Sequence, residues 1–280
     1  MQRSVFLAAA AAALTPMPTQ LAALERRSGG RLGVYAIDTG SGRTLEHRAH
    51  ERFPMCSTFK LLAVGAVLAR VDERNEDLGR RVGYGQSDML DNSPVTTANL
   101  NMSSMTIGAL CEAAMVQSDN TAANLLLHSL LGPAGVTKFA RKLGDSVTRL
   151  DRDEPAVNSS IPGDPRDTTS PAAMASDARA LVLGNVLSPR LRARMTAWMR
   201  ACETGTQSLR AGVPASWNTG DKTGSGPHGT ANDVAVMWPP QRAPIVVAAY
   251  ATGLRGSAGA QVGVLAAVGR IVFQEYRLAH

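Results

Sequence analysis

Strand-like segments occur at both ends of this chain, and helix-like segments fill the stretch between them. Residues 31–38 alternate apolar and polar side chains as a half-buried strand does, and a turn at 39–42 leads to a partner strand near 44–48. Three further β-rich segments follow late in the chain, at residues 217–223, 231–238 and 245–252. Helical apolar spacing marks residues 20–27, 58–70, 106–117, 121–131, 136–143, 171–183, 189–202 and about 258–276. This order predicts a sheet domain built from both termini, with an all-helical domain inserted in the middle.

The same pattern sets the expected domain boundaries. Residues 18–50 and 205–280 are predicted to form the sheet domain, and residues 51–204 the all-α domain. Residues 151–170 break the helical pattern, because they hold three prolines, a glycine and several charges without a regular period. Loops of this length inside compact domains are usually functional or disordered. A cleft at the junction of the two domains is where we expect a ligand site.

The N-terminus resembles a secretory signal. Arg3 precedes an almost wholly apolar run from Val5 to Leu14, which is too short to span a bilayer. We therefore predict a signal peptide at residues 1–17, without a clear cleavage site, and a secreted, periplasmic protein that leaves the membrane after cleavage. A buried helix is the alternative interpretation of this run.

The charge distribution and the cysteine count limit the kinds of binding partner and the number of disulfides that this chain can have. The formal net charge is +6, but its carriers are spread from Arg26 to Arg277 among acidic residues, so no nucleic-acid surface is predicted. The three cysteines, Cys56, Cys111 and Cys202, allow at most one internal disulfide, and a core this large needs none. No feature of the sequence indicates an oligomer, so we expect a monomer.

Ser57 and Lys60 form the first candidate catalytic pair. If a helix begins near Ser57, then Lys60 lies one turn further on the same face. A serine hydroxyl needs a base within hydrogen-bond reach, and a buried lysine with a lowered pKa can serve. The helix N-terminus adds positive potential where an oxyanion would form. Taken alone, the pair is equally typical of a helix-capping serine followed by a surface lysine.

Two further motifs offer polar groups to the same cleft. Ser118 can shuttle a proton and Asn120 can offer an amide to a substrate, although Ser-Asp-Asn is also a good helix N-cap. At the end of a predicted strand, Lys222 supplies positive potential for an anionic substrate. Thr223 and Ser225 supply hydroxyls there, and the intervening Gly224 permits close approach to the strand edge.

Glu154 is the residue that distinguishes between functions. In the irregular loop it could hold a water molecule together with Asn158, remove its proton and direct it at an acyl-serine. An exposed loop carboxylate is the alternative. Arg152 and Asp167 lie near the two ends of the loop and could pair to close its neck.

The ordered set of Ser57-Thr-Phe-Lys60, Ser118-Asp-Asn120, Glu154-Pro-Ala-Val-Asn158 and Lys222-Thr-Gly224 resembles the class A serine β-lactamases. The likeness extends from about Leu21 to the last helix. It implies an α/β (α+β) fold, with an antiparallel five-stranded sheet flanked by helices plus an inserted all-α domain. It also implies hydrolysis of the β-lactam ring of penicillins and cephalosporins, resistance to these antibiotics, and no metal or organic cofactor.

The resemblance also assigns roles. Ser57 would be acylated, with the backbone N–H groups of Ser57 and Ser225 as oxyanion hole and Lys60, Glu154 or both as base. Ser118 would protonate the leaving nitrogen, and Glu154 would activate the deacylating water. The Glu154–Pro155 bond is expected to be cis, as in relatives.

Several positions bear on substrate range. Cys56, Ser225 and Gly226 are similar to the extended-spectrum, cefotaxime-hydrolysing branch, and a glycine at 226 removes a disulfide found in a carbapenem-hydrolysing branch. Asn92 stands where an aromatic usually guards the cleft, and Ser208 stands where some relatives carry an arginine.

Two alternatives share the acylation chemistry. A penicillin-binding D,D-peptidase has the serine, lysine and Lys-Thr-Gly elements but lacks the loop glutamate with its asparagine. A β-lactam-sensing domain stays acylated and would need a transmembrane helix. Glu154 and Asn158 favour the hydrolase over both.

Overall fold

The computed structural model describes residues 17–277. The predicted signal peptide, residues 1–17, therefore lies outside the described residues except for Met17. The helices are α1 (Met17–Ser28), α2 (Phe59–Asp72), α3 (Pro94–Ala98), α4 (Ile107–Val116), α5 (Asn120–Ser129), α6 (Pro133–Lys142), α7 (Pro171–Val182), α8 (Pro189–Arg200) and α9 (Ala258–Tyr276). The strands are β1 (Arg31–Asp38), β2 (Thr44–His47), β3 (Phe53–Pro54), β4 (Arg81–Gly83), β5 (Ser104–Thr106), β6 (Thr168–Thr169), β7 (Asn218–Gly226), β8 (Thr230–Trp238) and β9 (Ile245–Thr252).

A five-stranded antiparallel sheet in the order β2-β1-β9-β8-β7 joins the two ends of the chain, which confirms the predicted fold class. Helices α1 and α9 cover one face, and α7 packs on the other. Strands β8 and β9 are buried along nearly their whole length, so the second half of β8 and most of β9 are continuous apolar runs rather than alternating patterns. Strand β7 lies at the edge of the sheet, and within residues 17–277 no further strand pairs with its outer row of backbone groups.

Helix α2 forms the centre of the helical layer. It is buried without interruption from Phe59 to Leu68 and packs against α4, α5 and α6. A helix that is apolar on all sides is stable only inside such a bundle. Its N-terminus continues a 3₁₀ turn, Cys56–Thr58, that packs against β7 and thereby brings Ser57 to the sheet edge.

The segment predicted to be all-α also contains four short strands. They form two ribbons, in which β3 pairs with β6 and β4 pairs with β5. Each strand has two or three residues, too few to produce an alternating pattern. The ribbon of β3 and β6 holds the end of the 151–170 loop against the chain that leads into Ser57. The boundaries at residues 50 and 204 stay a prediction.

Strand β7 extends further than predicted, through Lys222-Thr-Gly to Gly226. Continuous pairing with β8, from Asn218 opposite Trp238 to Gly226 opposite Thr230, overrides the low strand propensity of its glycines. Among the described residues, no helix combines the length and apolarity needed to cross a membrane.

Candidate active site

The turn that carries Ser57 is fixed by contacts from the sheet. Asn232 on β8 donates from Nδ2 to the Pro54 and Met55 carbonyls at 2.9 and 3.1 Å. Tyr250 on β9 lies 2.9 Å from the Thr58 hydroxyl. Cys56, directly before Ser57, has a left-handed φ of 45°. Such backbone strain is held in place only by well-determined surroundings.

Gly224 allows β7 to approach the nucleophile closely. A Cβ atom at this position would lie 2.8 Å from the Met55 carbonyl oxygen and 3.1 Å from the Ser57 nitrogen. Any larger residue would therefore push the strand away from Ser57. This contact is the structural reason for a glycine in the middle of β7.

Lys60 is the common hydrogen-bond donor of the cluster. The side chain is fully buried, and Nζ lies 3.1 Å from Ser57 Oγ, 2.7 Å from the Ser118 carbonyl oxygen and 2.7 Å from Asn120 Oδ1. Its Nζ is also 3.0 Å from Glu154 Oε1. Burial lowers the pKa of Lys60, although the negative charge of Glu154 opposes that change. A lysine with a lowered pKa next to a serine hydroxyl can accept its proton.

Ser118 connects the two lysines. Its φ is 57°, and Asp119 behind it caps α5 by accepting from the Ala122 N–H at 2.8 Å. Ser118 Oγ lies 3.3 Å from Lys60 Nζ and 3.0 Å from Lys222 Nζ. Burial lowers the pKa of Lys222 to about 8. A hydroxyl between two ammonium groups of lowered pKa is well placed to pass a proton.

Glu154 is buried beside the nucleophile. The Ser57 hydroxyl donates to Glu154 Oε1 at 3.4 Å, and Asn158 Nδ2 donates to the other carboxylate oxygen. The Oδ1 atom of Asn158 is buried and has no hydrogen-bond partner among the described residues. The Glu154–Pro155 bond is cis, as the resemblance implied.

Asn124 is a site residue that the sequence analysis missed. Its Oδ1 accepts from the Glu154 N–H and its Nδ2 donates to the Glu154 carbonyl, both at 2.9 Å. The side chain thus ties α5 to the backbone of the loop. Its position four residues after Asn120, on the same face of α5, was the available signal.

The neck of the loop is closed by Arg152 and Asp167. Arg152 Nε donates to Asp167 Oδ2 at 2.5 Å, and the Arg152 N–H donates to Oδ1 of the same carboxylate at 2.9 Å. Asp167 is buried, with a left-handed φ of 56°. The structure therefore brings together the two ends of an otherwise irregular loop.

Cys56 packs where this loop meets β7. Its buried thiol lies 3.2 Å from Ser160 Oγ, and burial raises its pKa to about 12, so it stays a neutral thiol. All three cysteines are free. A Cβ at Gly226 would lie 2.9 Å from Cys56 Sγ.

A cavity of about 250 Å³ opens over Ser57 and is the candidate substrate site. Ser118, Thr223, Gly224 and Ser225 line it, and Asn92 donates from Nδ2 to the Ser118 carbonyl at 3.2 Å. Asn120 and Lys222 lie behind the residues that line it: Asn120 Oδ1 accepts from Lys60 Nζ, and Lys222 Nζ lies 3.0 Å from Ser118 Oγ. Asn120 Nδ2 also donates to the Asp91 carbonyl at 2.9 Å, so both ends of its amide are engaged. No group of three or more His, Cys, Asp or Glu side chains within residues 17–277 could hold a metal ion.

A buried serine in contact with a lysine and a glutamate, at the junction of an antiparallel sheet and a helical layer, is the arrangement of a serine hydrolase. The model of the family described as "Beta-lactamase enzyme family" matches residues 16–276. The chain belongs to this family, and it is a class A serine β-lactamase that hydrolyses β-lactams.

Curated relatives are similar in sequence to this chain over most of their length. The chain is 49% identical to β-lactamase CTX-M-25 of Escherichia coli over 257 residues. This aligned region covers 92% of this chain and 88% of that enzyme. The chain is 50% identical over 253 residues to β-lactamase AST-1 of Nocardia asteroides, covering 90% and 81%. A solved structure of the class A β-lactamase of the last common ancestor of Gram-negative bacteria is similar, with a TM-score of 0.91 and 56% identity over 93% of this chain and 99% of that one.

Proposed function

We propose that hydrolysis proceeds through an acyl-enzyme on Ser57, which is removed by a water molecule that Glu154 activates. The position of Glu154 carries this proposal: its Oε1 is 3.0 Å from Lys60 Nζ and within 3.4 Å of Ser57 Oγ. A general base must lie within hydrogen-bond reach of the group it deprotonates, or one water away. Asn124 and Asn158 fix the backbone and the carboxylate of Glu154, which supports a base held in one orientation.

Acylation uses the same cluster of side chains, with Ser57 in place of the water as the group that loses a proton. The Ser57 proton moves to Lys60 or to Glu154, both of which contact Ser57 Oγ. The backbone N–H groups of Ser57 and Ser225 hold the developing oxyanion. The edge position of β7 supports this, because no strand in the described part of the chain pairs with its outer row of backbone groups. Ser118 then passes a proton to the ring nitrogen, with Lys222 within 3.0 Å to replace it.

Substrate recognition is divided between the two walls of the cavity. Lys222, Thr223 and Ser225 bind the carboxylate of the β-lactam, and Gly224 keeps β7 close to Ser57. Asn120 offers the second proton of its Nδ2 to the acylamino side chain, since only one of the two is donated to the Asp91 carbonyl. The buried Oδ1 of Asn158, which has no partner among the described residues, is an acceptor for the water that Glu154 activates.

The substrate range we propose covers penicillins and cephalosporins, including extended-spectrum cephalosporins. Cys56, Ser225 and Gly226 support this range, as does the 49% identity to an enzyme named CTX-M-25. We further propose that the protein confers β-lactam resistance as a periplasmic monomer that needs no cofactor, delivered by the signal at residues 1–17.

Mass spectrometry combined with a ring-opening assay tests the mechanism. With benzylpenicillin, the unchanged enzyme turns over with little adduct. Glu154→Gln keeps the shape of the side chain and removes the base, so it accumulates a one-to-one acyl-enzyme while turnover falls roughly a hundred- to ten-thousand-fold. Ser57→Ala is the control and forms no adduct. Unchanged turnover in Glu154→Gln would refute the role of Glu154.

A further inference from the structure

Thr204 lies directly against the hydroxyl that we assign to the substrate carboxylate. It follows α8 and lines the same cavity as Ser57. Its Oγ1 is 2.6 Å from Thr223 Oγ1 and 3.3 Å from Cys202 Sγ. Thr204 belongs to none of the four motifs, so no sequence pattern marks it as a site residue.

The backbone around Thr204 is held in place on both sides. The Glu203 N–H donates to the Val116 carbonyl at 3.0 Å, and the Glu203 carboxylate accepts from Gln117 Nε2 at 3.0 Å. On the other side, a Cβ at Gly205 would lie 2.3 Å from Asp221 Oδ1, so this backbone is pressed against a buried side chain. Thr204 is exposed to the cleft, and these contacts on both sides fix its position.

The direction of the hydroxyl–hydroxyl bond decides what a substrate meets at Thr223. A threonine hydroxyl has one proton and two lone pairs. If Thr223 donates to Thr204, an incoming carboxylate faces a lone pair and is repelled. If Thr204 donates to Thr223, the Thr223 proton is free for the carboxylate, and the chain of hydroxyls polarises it further.

The state of Cys202 favours donation from the Thr204 hydroxyl to Thr223. Burial raises the pKa of this thiol to about 11, so it stays neutral and is a weak acceptor. A thiolate would compete for the Thr204 proton, whereas the neutral thiol leaves that proton to Thr223. Among the described residues that line the cavity there is no arginine, so hydroxyl donors and Lys222 carry the recognition of the anion.

We propose that Thr204 is a positioning residue whose hydroxyl donates to Thr223 and turns the Thr223 proton toward the carboxylate of the bound β-lactam. Thr204 thereby sets the preference for the free acid over an uncharged ester. This inference rests on the proposed role of Thr223 in binding that carboxylate.

Substrates with and without the charge test the inference. Thr204→Val removes the hydroxyl at nearly constant shape, and Thr204→Ser restores it. For benzylpenicillin, Thr204→Val lowers kcat/KM roughly five- to tenfold, mainly through KM, because one oriented hydrogen bond is lost. For benzylpenicillin methyl ester the change stays below about twofold, and Thr204→Ser behaves like the unchanged enzyme with both substrates. Thr204→Ala, which cannot crowd the cleft, shows the same split between acid and ester.

Thr223→Val separates this inference from the proposed function. If it impairs the acid and spares the ester, the role of Thr223 stands. Equal losses for acid and ester in Thr204→Val, or no recovery in Thr204→Ser, then overturn the role of Thr204. The double variant adds no loss to that of Thr223→Val alone, and additive losses contradict the inference. If Thr223→Val impairs both substrates equally, the assignment of Thr223 fails and the inference fails with it.

Discussion

A buried carboxyl group, Asp177, makes the stability of this protein depend on pH far from its active site, and a second buried aspartate, Asp145, lies beside it. Asp177 on α7 is 1% exposed, and Asp145 in the turn after α6 is 7% exposed. Each has an Oδ2 atom without a hydrogen-bond partner among the described residues. Burial, together with the charge of Asp145, raises the pKa of Asp177 to about 9. At neutral pH, Asp177 is therefore protonated in the folded protein and ionised in the unfolded chain.

The sign and size of this linkage follow from the two pKa values. Below the ordinary carboxyl pKa of 3.8, both states hold the proton and the linkage vanishes. As pH rises from there toward about 9, only the folded state holds it, so the free energy of unfolding falls steadily. Between the ordinary pKa of 3.8 and about pH 7 lie roughly 3 pH units. At about 1.4 kcal/mol per unit, the buried proton lowers the free energy of unfolding at about pH 7 by roughly 4 kcal/mol.

Asp177→Asn removes this cost, because the amide has nearly the same shape, does not titrate and can donate toward Asp145. We expect the free energy of unfolding to rise by up to roughly 4 kcal/mol at about pH 7, and the gain to disappear near pH 4. Urea denaturation across this pH range measures both values. Glu112→Gln, on the exposed face of α4, is the matched control and should change little at any pH. A destabilised Asp177→Asn at neutral pH, or a gain that is the same at both pH values, would refute the reasoning.

Two further predictions concern the active site. Burial lowers the pKa of Lys222 to about 8, so kcat/KM for benzylpenicillin should fall as pH rises through that value, since a neutral lysine no longer attracts the carboxylate. The methyl ester should lack this alkaline limb in a pH–rate profile, and an identical limb for both substrates would contradict the role of Lys222. Gly226→Ala places a Cβ 2.5 Å from Ser160 Oγ and 2.6 Å from the Asn158 carbonyl, so it should cost about 1–3 kcal/mol in thermal or urea unfolding and slow deacylation. Gly83→Ala is its control, because a Cβ there meets its nearest atom at 3.8 Å, and equal effects of the two would show that crowding of the loop is not the cause.

The elements with regular patterns were predictable from the sequence alone. Strands β1 and β9 and helix α9 have the predicted bounds, because an apolar pattern runs through each of them and Gly, Pro or a serine cap ends it. Strand β7 was predicted too short, because its glycines hide a pairing that only β8 enforces. The ribbons of β3 with β6 and of β4 with β5 were not predictable, since their partners are distant in sequence and each strand is too short to carry a period.

Within the site, local motifs indicated which side chains could do chemistry, but not what holds them. Asn124 was missed because its partners are backbone atoms of Glu154, thirty residues away. Thr204 was missed because its relation to Thr223 arises only when the chain after α8 folds back on the sheet edge. The pair of Asp145 and Asp177 gave no signal either, since two isolated aspartates in a sequence are typical of a solvated surface.

The contacts of Lys60 explain why three of the four motifs depend on one another. A fully buried ammonium is costly unless its three protons find acceptors. Its acceptors come from three different motifs: Ser57, Ser118 and Asn120 of the Ser-Asp-Asn motif, and Glu154. Loss of any one of these acceptors leaves the buried ammonium of Lys60 with fewer hydrogen bonds, and this changes the basicity of Lys60 and of the acceptors that remain. Of these acceptors, Glu154 belongs to the long irregular loop of residues 151–170, which Asn124 holds against α5 and the Arg152–Asp167 pair closes at its neck. The step that turns acylation into hydrolysis therefore depends on the part of the fold that regular secondary structure stabilises least.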